Sequence, residues 1–104
     1  VVVPQAGAKD EWPEGIFEAE LSIASFQNGY FGALVNRTGR EAHLEFAGGS
    51  FITDPEGQVL ARAPQGEDFI LYHDVDLGRV PSCTARRHFL ADRREELYPG
   101  PWLT

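Results

Sequence analysis

Cys83 is the only thiol in the chain, and a thiolate is the side chain best suited to attack a carbonyl or nitrile carbon. It stands in Val80-Pro81-Ser82-Cys83-Thr84-Ala85, with Arg86, Arg87 and His88 close behind it. Cations so placed lower a thiol pKa. An activated nucleophile also needs a positioned base and a rigid turn that presents it. No strand-to-helix elbow precedes Cys83 and no base is evidently placed, so an incidental half-buried thiol is the expectation and no catalytic residue is assigned.

Metal chemistry fares no better. Zinc needs closely spaced pairs of ligands, and His43, His73, Cys83 and His88 show no such spacing. No metal and no cofactor is expected. His73 shares an expected strand face with Phe69, Leu71 and Val75, which suggests a half-buried, hydrogen-bonded histidine. Gly48-Gly49-Ser50 is not a nucleophile elbow, because Ile52 stands where that motif requires glycine. The two glycines fit a bulge or a close backbone approach. Asn36-Arg37-Thr38 matches a glycosylation sequon by chance.

Two features bear on binding. Glu20 falls amid apolar helix positions, where a carboxylate must be paired, hydrogen-bonded or neutral, and structural pairing with an arginine is expected ahead of a substrate-side role. Residues 5–14 form a loop that leaves a strand end and carries Gln5 and Trp12, an amide and an aromatic suited to lining a pocket. Gln5 and Trp12 are therefore the candidate substrate-binding residues.

The elements that must position them follow from pattern. Val1, Val2 and Val3 are β-branched and read as a strand. The loop after them, rich in proline, glycine and charge, leads to a helix over Ile16–Asn28 that Gly29 ends as its C′ residue. Ile16, Phe17, Ala19, Leu21, Ile23, Ala24 and Phe26 spread over a wide arc, with Glu18, Ser22 and Ser25 opposite and facing solvent. Residues 30–35 are continuously apolar, as in a strand covered on both faces, and 36–40 read as a turn. Asp54-Pro55-Glu56-Gly57 has type I turn preferences and joins 50–53 to 58–63 as an antiparallel hairpin. A further strand is expected over 69–76, then helical stretches interrupted by Pro81 and stopped at Pro99-Gly100-Pro101. The sum is one α+β unit with about four strands and two helical regions.

Bulk properties narrow the setting. Nine basic against 16 acidic residues give a net charge of −7, which disfavours nucleic acid or an anionic membrane as partner. No apolar run is long enough to span a bilayer. A lone cysteine cannot form an internal disulfide, so a reducing, cytoplasmic setting is expected. The 104 residues contain no methionine, and the opening strand has no lead-in, so the natural start is expected upstream.

An ordered series of segments then becomes recognisable. It runs Gln27-Asn28-Gly29-Tyr30-Phe31, Asn36-Arg37-Thr38-Gly39, Phe46-Ala47-Gly48-Gly49-Ser50-Phe51-Ile52, Asp54-Pro55-Glu56-Gly57, Asp74-Val75-Asp76-Leu77 and Asp92-Arg93-Arg94-Glu95-Glu96-Leu97-Tyr98. In order and spacing it resembles the second half of the nitrilase superfamily of carbon–nitrogen hydrolases, over nearly the whole chain. The resemblance implies residues 1–104 as the C-terminal portion of one four-layer α-β-β-α sandwich domain. It implies chemistry by a glutamate base, a lysine and a cysteine nucleophile that forms an acyl intermediate on an amide, carbamoyl or nitrile carbon. Those groups would all lie upstream of Val1, so this chain is expected to be inactive alone. The loop opening Pro4-Gln5-Ala6 resembles the segment bordering the acyl pocket, although many members carry a small hydroxyl residue at the position of Gln5. Ala24-Ser25-Phe26-Gln27-Asn28-Gly29 looks closer to the carbamoylase pattern. The tail from Leu77 resembles a dimer-interface segment, so a homo-oligomer is expected, with a small amide or carbamoyl ligand in the intact parent. The other expectation is a non-catalytic module that associates with itself or with a partner.

Overall fold

The structure, a computed structural model, describes residues 1–98 and Gly100. Pro99 and Pro101 of the expected stop lie outside the described residues. The regular elements are β1 (Val2–Gln5), α1 (Ile16–Asn28), β2 (Gly32–Asn36), β3 (Thr38–Glu41), β4 (Leu44–Ala47), β5 (Phe51–Thr53) and β6 (Val59–Arg62), and the tail holds only short helical turns between residues 77 and 97. The mixed α+β class holds.

A four-stranded sheet of order β1-β2-β5-β6 carries the fold. β1 and β2 are parallel, joined through α1, whereas β2–β5 and β5–β6 are antiparallel. α1 covers one face, where Leu21, Leu34 and Phe51 are buried with Val3, Phe17 and Val59 packed around them. Burying a side chain of that size contributes about 1.5–3 kcal/mol. The register aligns Val2, Ala33, Ile52 and Ala61 in a row, with Pro4 beside Val35. This row lies on the face opposite α1, and Val2 and Val35 stand well exposed there. The face is apolar and no element among the described residues covers it. The expectation of a β2 covered on both faces is therefore corrected to one face.

α1 ends as its sequence dictates. Gly29 is left-handed at φ 65° and its N–H donates to the Ser25 carbonyl. Its orientation differs from expectation. Ser25 is fully buried, and its hydroxyl pairs with that of Thr53 at 2.6 Å. This close approach is possible because Gly32 lies beside them: a Cβ there would sit 2.6 Å from Thr53 Oγ1 and 2.9 Å from Ser25 Oγ. Conversely Ile16 and Ile23 are exposed. Glu20 is exposed and needs no partner, while Glu18, expected to face solvent freely, bonds Arg62. The apolar arc was too wide to locate its own centre, and small residues decided which edge met the sheet.

Two other expectations change. The turn at 36–40 is instead the start of a hairpin, β3 pairing with β4 from Thr38↔Ala47 to Glu41↔Leu44. Its two-residue loop places Ala42 at φ 50°, a left-handed position without the glycine that normally marks it. Residues 69–76 form no strand, and His73 is exposed rather than half-buried. The turn at Asp54–Gly57 forms as expected, with Gly57 N–H donating to the Asp54 carbonyl at 2.9 Å.

Candidate functional site

Gln5 ends β1, and the loop after it crosses to the N-terminus of α1. Along the way Ala8 bridges Phe46, Lys9 N–H donates to the Glu45 carbonyl at 2.7 Å, and Ala47 N–H donates to the Gly7 carbonyl at 3.0 Å. The loop is thus seated on β4. Trp12 packs against Phe17 in the first turn of α1, with ring centroids 5.8 Å apart and a tilt of 60°.

Between this loop, the start of α1 and the Gly48-Gly49 corner lies a cleft of about 680 Å³. Gln5 and Trp12 both line it, with Leu34, Phe51 and Phe17 at its floor and Lys9, Glu18 and Arg62 among its charged groups. The two residues singled out from sequence therefore share one concavity. The Gln5 Nε2 group is buried without a hydrogen-bond partner, an uncommon state for a buried donor.

Asn36, read from sequence only as a turn and sequon residue, holds the site together. Its Oδ1 accepts from Gly7 N–H at 2.7 Å, and its Nδ2 donates to the carbonyls of Gly7 at 3.3 Å and Gly48 at 2.9 Å. Its backbone N–H donates to Ser50 Oγ at 2.9 Å. One carboxamide thus ties the loop after β1 to the corner after β4. A lone amide residue ending an apolar strand was the available signal, because such an amide must find partners when the strand end is covered. Gly48 and Gly49 are both left-handed, at φ 63° and 65°, and a Cβ on Gly48 would sit 2.7 Å from Thr38 Cγ2 and 3.2 Å from the Gly66 nitrogen, which supports the close-approach reading at Gly48.

Lining side chains can bind but supply no nucleophile of the thiol, hydroxyl or imidazole type: no Cys, Ser, Thr or His is among them. Cys83 is buried elsewhere, against Gly29 near the end of α1. Among the described residues no three His, Cys, Asp or Glu side chains gather as a metal site, and no helix is long and apolar enough to cross a membrane.

The sequence and the fold match known proteins. The carbon–nitrogen hydrolase family model covers residues 6–85, and the chain belongs to that family. It is 30% identical over 80 residues to a nitrilase of Pyrococcus abyssi, covering 75% of this chain and 30% of that protein. It is 32% identical over 84 residues to a Pseudomonas protegens protein described as a hydrolase in the pqqF 5′ region, covering 79% and 29%. Among solved structures, a nitrilase-superfamily amidase of Nesterenkonia AN1 superposes with a TM-score of 0.70 at 33% identity, over 93% of this chain and 32% of that one. A carbon–nitrogen hydrolase of Helicobacter pylori gives 0.72 at 26% identity, over 91% and 37%. The fold is that of the nitrilase-type amidases, and the chain spans about a third of the length of these relatives.

Proposed function

We propose that these residues form one wall of the acyl pocket in a hydrolase of small non-peptide amides or carbamoyl compounds, as the C-terminal part of its domain. The catalytic glutamate, lysine and cysteine come from polypeptide outside residues 1–104, and the chain is inactive alone. The observation that carries this reading is the cleft that Gln5 and Trp12 both line, an amide and an aromatic of the kind that orient small polar ligands in such clefts. One Nesterenkonia amidase structure is described as a complex with acrylamide, which supports a short amide as the ligand class. No cofactor is required.

The test is ammonia release from acetamide and from an N-carbamoyl amino acid by the purified chain. No release above the uncatalysed rate is expected. Release that disappears in Cys83→Ala would replace this reading with a small enzyme using its own thiol.

A second reading, a self-associating or partner-binding module, is favoured by the uncovered apolar row of Val2, Ala33, Val35 and Ile52. Contiguous apolar surface of this kind drives association. On this reading the chain is a homo-oligomer, and light scattering returns a multiple of 11.5 kDa. A clean monomer counts against it. A cytoplasmic setting fits both readings, since the single thiol is unpaired.

A further inference from the structure

Asn28 ends α1 and stands exposed, and Gly29 after it is buried. In such a pair the glycine nitrogen can attack the side-chain carbonyl carbon of the asparagine, because no Cβ stands in the way. The attack closes a five-membered ring, which needs the asparagine backbone turned away from the helical ψ of about −42°. Here both reacting groups are held apart. Gly29 N–H donates to the Ser25 carbonyl at 2.9 Å, and Asn28 Nδ2 donates to the Ala24 carbonyl at 2.9 Å. Each points back along the helix into its own bond. Tyr30 N–H also donates to the Ser25 carbonyl, at 3.3 Å. The tail keeps this helix end shut. A Cβ on Gly29 would lie 2.7 Å from Cys83 Sγ and 3.3 Å from the Ala85 Cβ, and Phe89 meets Phe26 of α1 edge-on with ring centroids 5.5 Å apart. Bonds from Arg79 to Asp54 and from Thr84 to Glu56 hold the tail in place. Asn36, the other asparagine in the chain, precedes the bulkier Arg37 and has its carboxamide in three bonds.

We infer that Asn28 is a deamidation site that the native fold keeps closed and that release of tail residues 77–89 from the end of α1 opens. Once the helix end frays, the Gly29 nitrogen bonds to Asn28 Cγ and loses its proton to solvent. The Cγ–Nδ2 bond breaks, and that nitrogen leaves as ammonia. Water then opens the resulting succinimide at either carbonyl, which leaves aspartate or isoaspartate at position 28. Only water is consumed. The product does not refit the closed state. A carboxylate replaces the donor to the Ala24 carbonyl, at the negative end of a helix whose last turn holds no basic residue. Isoaspartate also lengthens the backbone by one methylene, which shifts Gly29 from beneath Cys83. A reversible opening of the tail is thereby made irreversible, and the modified fraction records how often the tail has opened.

The experiment incubates the 104-residue chain in mildly alkaline buffer, folded and in denaturing guanidinium chloride. Peptide mass spectrometry counts the conversion of Asn28 and Asn36, and an isoaspartate methyltransferase counts the rearranged product. Asn28 is expected to convert at least about 10-fold more slowly in the folded chain than in the unfolded one. Arg79→Ala and Glu56→Ala each loosen the tail, and each should speed conversion of Asn28 by about 3-fold or more while Asn36 stays slow. Equal rates in the folded and unfolded chain overturn the inference. So does a variant whose tail has become open to protease while Asn28 converts no faster. Should a variant unfold or keep its tail closed, the unsubstituted chain in denaturant below its unfolding transition decides. A conversion rate that climbs with denaturant less steeply than global unfolding marks local opening and supports the inference. A rate that follows global unfolding alone overturns it.

Discussion

Asp54, in the turn between β5 and β6, and Arg79, in the tail, form a partly buried pair at 2.9 Å that fixes where the chain rejoins its body. The carboxylate is 1% exposed and its other oxygen accepts from Glu56 N–H and Gln58 N–H, both at 2.9 Å. One side chain therefore shapes the turn and anchors the tail.

Asp54→Ala is expected to cost about 2–3 kcal/mol, because it leaves the turn amides of Glu56 and Gln58 without their acceptor. Arg79→Ala removes only the half-exposed partner. It leaves the buried Asp54 carboxylate with only its two turn amides, so it too should lower the melting temperature, and it should free the tail to protease at residues 77–92. Unchanged proteolysis of the tail in Arg79→Ala would show that this pair does not anchor it.

The buried hydroxyl pair Ser25–Thr53 joins α1 to β5. Ser25→Ala should destabilise by about 1–2 kcal/mol, leaving the Thr53 hydroxyl unpaired. The double variant Ser25→Ala with Thr53→Val should lose clearly less than the sum of the singles. Gly32→Ala should be worse than either single, since its Cβ would strike both oxygens. Urea titration measures all four, and strict additivity would remove the pair from the account.

Acid should loosen the tail before the sheet. The Glu56 carboxylate accepts from Thr84 Oγ1 at 2.7 Å and Thr84 N–H at 2.8 Å. These bonds, the hydroxyl first, hold its pKa below the ordinary value of 4.5. A carboxyl whose folded pKa is depressed contributes stability above its unfolded pKa and loses it as pH falls through the folded one. The Thr84 amide resonance should therefore titrate with a midpoint under 4.5, and Glu56→Gln should remove that titration. A midpoint at or above the ordinary value would contradict the assignment.

Asn36→Ala should detach the loop after β1 from the Gly48 corner, speed exchange of the Gly7 amide and cost about 2–3 kcal/mol for three lost bonds. Asn36→Asp keeps an acceptor for Gly7 N–H but turns a carboxylate toward the carbonyls of Gly7 and Gly48, so it should be no better tolerated. Nuclear magnetic resonance exchange at Gly7 reads both variants. An unchanged Gly7 rate in Asn36→Ala would mean that the backbone bonds to β4 suffice.

Much of the architecture was legible because it is written locally. Gly29 stops α1 through its own left-handed backbone, and Asp54-Pro55-Glu56-Gly57 specifies its turn without outside help. The β3–β4 hairpin was hidden because Ala42 takes the left-handed position that glycine or asparagine usually marks. The orientation of α1 was hidden because Ile16 and Ile23 widen its apolar arc while Ser25, polar by type, is the residue that packs inward. Trp12 was identifiable as a loop residue after a strand, and Gln5, expected in that loop, instead ends β1; Asn36 was not identifiable, since its partners Gly48 and Gly7 lie 12 and 29 residues away.

The sequence by itself determined the family, the α+β class, the helix and its end and the tight turn, because each depends on residue type at short range or on ordered motifs. Only the tertiary structure decided that Gln5, Trp12 and Asn36 meet at one cleft, that Ser25 rather than Glu20 faces inward, and that residues 69–75 form no strand. Those outcomes depend on which surfaces meet, and close packing lets residues as small as Gly32 and Ser25 settle that choice.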